Sequence, residues 1–65
     1  MKVTYDQEVD VLRIVLSDAD IEESDEDKPG IIIDYDDHGN VVGLEILDAS
    51  SRMADPRTLE YAVTG

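Results

Sequence analysis

Cysteine is absent from these 65 residues, as are tryptophan and phenylalanine, and five lysines and arginines stand against seventeen acids. Each shortage removes a class of protein. Without cysteine there is no disulfide framework, no thiolate nucleophile and no sign of an oxidising compartment. Without Trp or Phe, the apolar content rests on Val, Ile and Leu, which suits pleated layers better than aromatic-lined pockets. A formal net charge of −12 repels nucleic-acid phosphates and anionic lipid surfaces alike. No apolar run approaches the roughly 20 residues needed to span a bilayer, and the Met-Lys start lacks an apolar signal region. The expectation is a cytoplasmic protein that contacts neither nucleic acid nor membrane directly.

What is present is short and alternating. A chain of this length buries only roughly 60% of its unfolded surface, so it forms one domain, residues 1–65, around one thin core. "KVTY" places Val3 and Tyr5 on one side. "VLRIVLS" follows the polar link "DQEVD", with Leu12, Ile14 and Leu16 opposite Val11, Arg13 and Val15. Two such runs about a polar link predict an antiparallel hairpin. "IIIDYD" (31–36) and "VVGLEILDA" (41–49) repeat the pattern around "DHGN". Gly43 in mid-strand predicts a bulge or a close approach by another group. Pro29-Gly30 is a turn signal.

Between the hairpins, residues 18–28 hold seven acids and one large apolar residue, Ile21. Like charges this dense predict a mobile loop, or at best a short edge strand around Ile21. At the other end, residues 50–57 predict a short helix or helical turn. "TLEYAVTG" then alternates, which predicts a strand-like extension within 53–65 carrying Leu59, Tyr61 and Val63 on one side. The fold class is therefore α+β: a small antiparallel sheet, a meander of four to five strands, with one short helix near residues 50–57. Several strands carry aliphatic residues on both sides. One short helix cannot cover both, and a contiguous exposed aliphatic patch marks an interface, so a homodimer or small homo-oligomer is expected.

Chemistry has few places to reside. Residues 34–45, "DYDDHGNVVGLE", imitate a calcium loop, with acids at its first, third and twelfth positions and glycine at its sixth. The metal candidates are Asp34, Asp36, His38 and Glu45. A calcium loop of this kind sits between helices, whereas these flanks alternate like strands, and imidazole is a poor ligand for a hard cation. A hairpin turn accounts for the residues better: Asp36 and Asp37 form side-chain turns, and Gly39 or Asn40 takes the positive-φ position. His38, the sole histidine, is then an exposed turn residue. Ser17, Ser24, Ser50 and Ser51 lack a glycine-framed elbow and a nearby base. No catalytic residue and no cofactor is implied. Arg13 is expected to pair with Asp34 or Glu45 across the sheet. The acidic run (Asp18, Asp20, Glu22, Glu23, Asp25, Glu26, Asp27) is the candidate docking strip for a basic protein partner, since complementary charge speeds encounter.

"VTYDQEVDVLRIVLS" and "PGIIIDYDDHGNVVGLEILDAS" together resemble the domain of unknown function 2283 family of small prokaryotic, YuzE-like proteins, over residues 2 to about 52. The resemblance implies a small α+β protein without established enzymatic activity. Some members are encoded beside small predicted toxins, which implies an antitoxin-like or inhibitory role. Members more commonly carry Asp or Asn where this chain has His38, which weakens histidine chemistry further. Residues 53–65 lie where the family pattern fades.

Overall fold

Alternation decides which side of a strand is apolar, but backbone pairing decides where the strand sits. In the computed structural model, which describes residues 1–65, five strands precede one helical turn. They are β1 (Lys2–Asp6), β2 (Val11–Val15), β3 (Glu23–Lys28), β4 (Ile31–Tyr35) and β5 (Val41–Leu47), followed by α1 (Ala49–Arg52). All pair antiparallel in one sheet of order β1-β2-β5-β4-β3. The fold class is the expected one, with a difference in order. A continuous meander would place β3 beside β2; instead β5 takes that position, and residues 16–22 cross the end of the sheet to reach its far edge. Leu16 and Ser17 donate backbone bonds to the Val42 carbonyl on the way, and Glu22 donates to Tyr35.

The register sorts the side chains into two unlike faces. One carries the cross-strand rows Val3–Ile14–Leu44–Ile33 and Tyr5–Leu12–Ile46–Ile31, with no charge on four of its strands. The other carries Thr4–Arg13–Glu45–Ile32 and Lys2–Val15–Gly43–Asp34, so charged groups occupy its centre. Every aliphatic residue in the first pair of rows is only half-buried, and no large side chain in the chain is fully buried. The molecule is a slab of 35 × 33 × 18 Å.

Two expectations are corrected. The acidic run is neither a mobile loop nor a strand centred on Ile21: β3 runs from Glu23 to Lys28, and Ile21 lies outside it, 48% exposed. Pro29 and Gly30 (φ 82°) turn the chain back beside β4, where β4 needs backbone partners. At a sheet edge the carboxylates stay in water on both sides, so pairing satisfies the ladder without burying charge. The second correction concerns the tail. Residues 53–65 form no strand. Leu59, Tyr61 and Val63 do alternate, but they find no ladder and remain 66%, 72% and 82% exposed. Strand periodicity without backbone pairing leaves extended chain.

The helical turn is held by a residue forty positions away. Asp48 at its N-cap adopts φ 52° and makes no side-chain cap. Asp10, itself at φ 58°, replaces that cap: its carbonyl accepts from the Ala49 N–H (3.0 Å), and its carboxylate accepts from the Ser50 N–H (2.9 Å) and hydroxyl (2.6 Å). Tyr5 donates its phenol to the same carboxylate at 2.6 Å. Arg52 closes the other end, donating to the Leu47 and Pro29 carbonyls at 2.9 and 2.6 Å. Ala49, with no exposed surface, is fixed between these ties.

These bonds contribute to the pH dependence at both extremes. The Ser50 and Tyr5 donors hold the Asp10 carboxyl below its ordinary value, so its contribution is present above about pH 4 and is lost as pH falls through the lowered folded value. Donation to Asp10 raises the Tyr5 phenol, so that contribution is complete below about pH 10 and is lost as pH rises through the raised folded value. Ultraviolet titration is expected to show a phenol ionising above pH 10 that disappears in Tyr5→Phe. In Asp10→Asn the acid loss of stability, followed by thermal melting, shrinks; an unaltered acid limb would show the tie to be unimportant.

Candidate functional site

The acidic segment 34–45 divides into two separate constellations. Its first half forms the turn between β4 and β5. Asp36 accepts from the backbone N–H groups of His38 and Asn40, both at 2.9 Å, and from the Asn40 amide at 3.1 Å. Those donors, Asn40 foremost, hold the Asp36 carboxyl below its ordinary value. Gly39 takes the positive φ, 80°, as a tight hairpin requires. His38 is exposed, and its Nδ1 lies 2.9 Å from Asp37. The oxygen and nitrogen atoms that come within 4.8 Å of one another are therefore those of Asp36, Asp37 and His38. Asp34 and Glu45 are not among them, so the four-residue calcium-like set is not assembled: strand geometry carries its first and last members onto the sheet.

There they meet Arg13, as expected of that residue. Arg13 on β2 stands directly opposite Glu45 on β5, and Nη1 donates to Glu45 Oε1 at 2.8 Å. The same Nη1 lies 3.6 Å from Asp34 Oδ2. That distance is an ion pair but too long for a hydrogen bond, and Oδ2 has no hydrogen-bond partner. Asp34 Oδ1 accepts from the Ser24 hydroxyl at 2.6 Å. Asp34 is 4% exposed, although it sits on a face with no second layer. Ser24, Arg13 and Gly43 enclose it.

Gly43 explains how that enclosure is possible. A Cβ there would stand 3.0 Å from Asp34 Oδ2 and 3.3 Å from the Ile14 carbonyl. The missing side chain makes room for the carboxylate of the neighbouring strand. The β4–β5 ladder also shifts register between Asp34 and Tyr35, so the expected close approach and an adjacent bulge both occur. Arg13 and Glu45 are each about one-third exposed, a setting in which an ion pair contributes about 0.2–1 kcal/mol. The stronger constraint is the buried carboxylate, which loses its counter-charge if Arg13 is removed.

The acidic docking candidates lie along one border of the sheet. Asp18, Asp20 and Glu22 are on the crossing segment, and Glu23, Asp25, Glu26 and Asp27 are on β3; all are exposed. Glu23 and Asp25 pair with Tyr35 and Ile33 and so border the aliphatic face, while Glu26 and Ser24 border the charged one. The largest recess, about 450 Å³, opens between Val3, Tyr5 and Leu12 on the sheet and Pro56, Arg57 and Leu59 on the tail. It lies away from Arg13, Asp34 and Glu45. Sequence reading missed Asp10 and Ser50, whose tie spans forty residues, and Ser24, whose role depends on β3 being a strand. No local pattern announces any of them.

No helix is long and apolar enough to cross a membrane. The architecture is that of a small α+β protein built on one antiparallel sheet. Within that class, the family model described as "Protein of unknown function (DUF2283)" matches residues 2–50, and the chain belongs to this family. The match covers all five strands and the start of α1, leaving the tail outside it. Neither the curated proteins nor the solved structures contain a match.

Gly43→Ala is expected to force Asp34 out of its enclosure against a fixed backbone carbonyl, a cost of about 1–3 kcal/mol. For a domain of this size that lowers Tm by about 5–20 °C. Calorimetric melting checks it, and an unchanged Tm would mean that the carboxylate moves freely. Arg13→Ala is expected to destabilise more than Glu45→Ala, because only the former strands Asp34.

Proposed function

We propose that this chain is a non-catalytic protein-interaction module that self-associates through a sheet face and engages a basic partner, in the manner of an antitoxin or inhibitor. The observation that carries the reading is the incompletely covered aliphatic face: eight apolar residues in two rows, all only half-buried, with only the tail near one end. Contiguous apolar surface of this kind serves association. The acids on β3 and the crossing segment add a border suited to a cationic protein surface. The carboxylates with resolved surroundings support a structural role. Asp10 and Asp36 are engaged by backbone and side-chain donors, and Asp34 is flanked by Ser24 and Arg13. A cytoplasmic setting is in keeping with a cysteine-free chain.

A metal-binding reading rests on Asp36, Asp37 and His38 in place of the calcium-like set, and it is weaker. Both Asp36 oxygens are already engaged by the turn, and a cation would compete with those bonds.

Light scattering on the purified chain is expected to give a mass of at least twice 7.2 kDa near physiological salt. A monomer at all concentrations would overturn the self-association. Calorimetric titration with calcium, zinc and manganese is expected to give no heat at micromolar protein; saturable binding lost in Asp36→Asn would favour the metal reading instead.

A further inference from the structure

A sheet that does not close on itself has two edges, and each offers unpaired backbone groups on which a further strand can form. Here the edge strands are β3 and β1. Acids guard the first. The second carries a single acid and a single base, so it needs a guard of another kind. We infer that the tail is a strap for this edge: residues 57–61 close antiparallel onto the outer side of β1 as a sixth strand, with Thr58 opposite Thr4 and Glu60 opposite Lys2. This closure requires no second copy and stands apart from the self-association proposed above.

The tail already follows the course of such a strand. The recess of about 450 Å³ is lined by Tyr5 and Val3 from the sheet and by Arg57 and Leu59 from the tail. Another, of about 420 Å³, is lined by Val3 and Met1 and by Leu59 and Tyr61. As the tail advances from 57 to 61, its neighbours therefore recede from 5 to 1, which is the antiparallel sense. Arg57 beside Tyr5, Leu59 beside Val3 and Tyr61 beside Met1 define one register. Strand alternation then puts Thr58 and Glu60 on the other face, with Thr4 and Lys2. Threonine pairs and opposite charges are both favourable cross-strand partners. Neither Lys2 nor Glu60 has an ion-pair partner elsewhere. A slip of one residue would turn Leu59 and Tyr61 to the charged face and lose both pairs.

The strap is anchored at its root and free beyond it. Asp55 accepts from the Arg57 N–H and Nε at 3.0 and 3.2 Å, and its carbonyl accepts from the Thr58 N–H at 3.3 Å. From Leu59 onward the chain makes no hydrogen bond. Closing gives β1 a second row of backbone bonds and adds Leu59 and Tyr61 to the apolar rows beside Val3. Ordering the residues of the strap opposes it. These opposed terms make the closure reversible. Open, β1 offers its edge to an extended segment of another protein; closed, it does not.

Amide exchange on the unmodified full chain tests the strap. Relative to intrinsic rates, alternate amides within Thr58–Tyr61 are expected to exchange at least about tenfold more slowly than those of Val63–Gly65. Lys2→Glu places like charges opposite and is expected to reduce that protection by about two- to fivefold. Lys2→Glu with Glu60→Lys is expected to restore it. The chain has no cysteine, so Thr4→Cys with Thr58→Cys introduces one thiol pair. Its disulfide is expected to close within the chain with an effective concentration at least about tenfold above that of Thr4→Cys with Ala62→Cys. Free exchange throughout 58–65, with both thiol pairs closing equally, overturns the strap. Protection without preference for the first pair overturns its register. Disulfides formed chiefly between chains overturn closure by the chain's own tail. A chain that is monomeric in light scattering yet protected at 58–61 supports the strap and removes only the self-association.

Discussion

The antiparallel join of β2 to β5 is the contact on which the rest depends. On one side of it lies the first hairpin, β1–β2; on the other, the three strands β3 to β5. The first hairpin is not wide enough to stand alone, since isolated hairpins are marginal in water. The join is fastened along its whole length. Asp10 grips α1 at one end, Arg13 meets Glu45 in the middle, and Val42 accepts from Leu16 and Ser17 at the other. It also sets the two faces. By placing Leu12 and Ile14 opposite Ile46 and Leu44, it makes the aliphatic rows continuous across β1, β2, β5 and β4.

A chain with twelve uncompensated negative charges must fold without confining them. The solution is spatial. β3 and the crossing segment hold seven acids at the periphery, where water screens them, and turns take several more. One acid is confined, Asp34, and it is the one beside both Arg13 and a hydroxyl donor. Burial of a carboxylate is costly unless it is paired, so the position of Arg13 and the absence of a side chain at Gly43 form a single requirement. Edge acids have a second consequence: an edge of like charges discourages addition of further strands.

Much of this was legible in sequence, for identifiable reasons. Period-two alternation located β1, β2, β4 and β5 because each has one face more apolar than the other. Arg13 drew attention as a lone cation among aliphatics, and both acids named as its partners meet it. Gly43 was legible because glycine interrupts a strand only for a cause. What escaped depended on pairing across distance. β3 has no apolar pattern, since an edge strand made of acids owes its existence to β4. The tail shows the converse error, with Leu59, Tyr61 and Val63 alternating outside any ladder. The calcium-like spacing of Asp34, Asp36, His38 and Glu45 forms no site because spacing along a chain is not distance across a hairpin, and the turn expected in its place is what forms. Strand rise carries Glu45 away from the turn that holds His38.

The inequality of the two faces bears on how the proposed association ends. A sheet that was apolar on both sides would stack repeatedly, because every added copy would offer a fresh surface, and an open, non-closing contact builds fibres. Here the Arg13–Glu45–Asp34 constellation makes one face unfavourable for stacking, and the acids of β3 make one edge unfavourable for strand addition. A self-complementary contact through the remaining aliphatic face uses that face on both copies and leaves none to continue. In the proposed assembly the same charges would limit its size and leave an acidic border outward for a cationic protein.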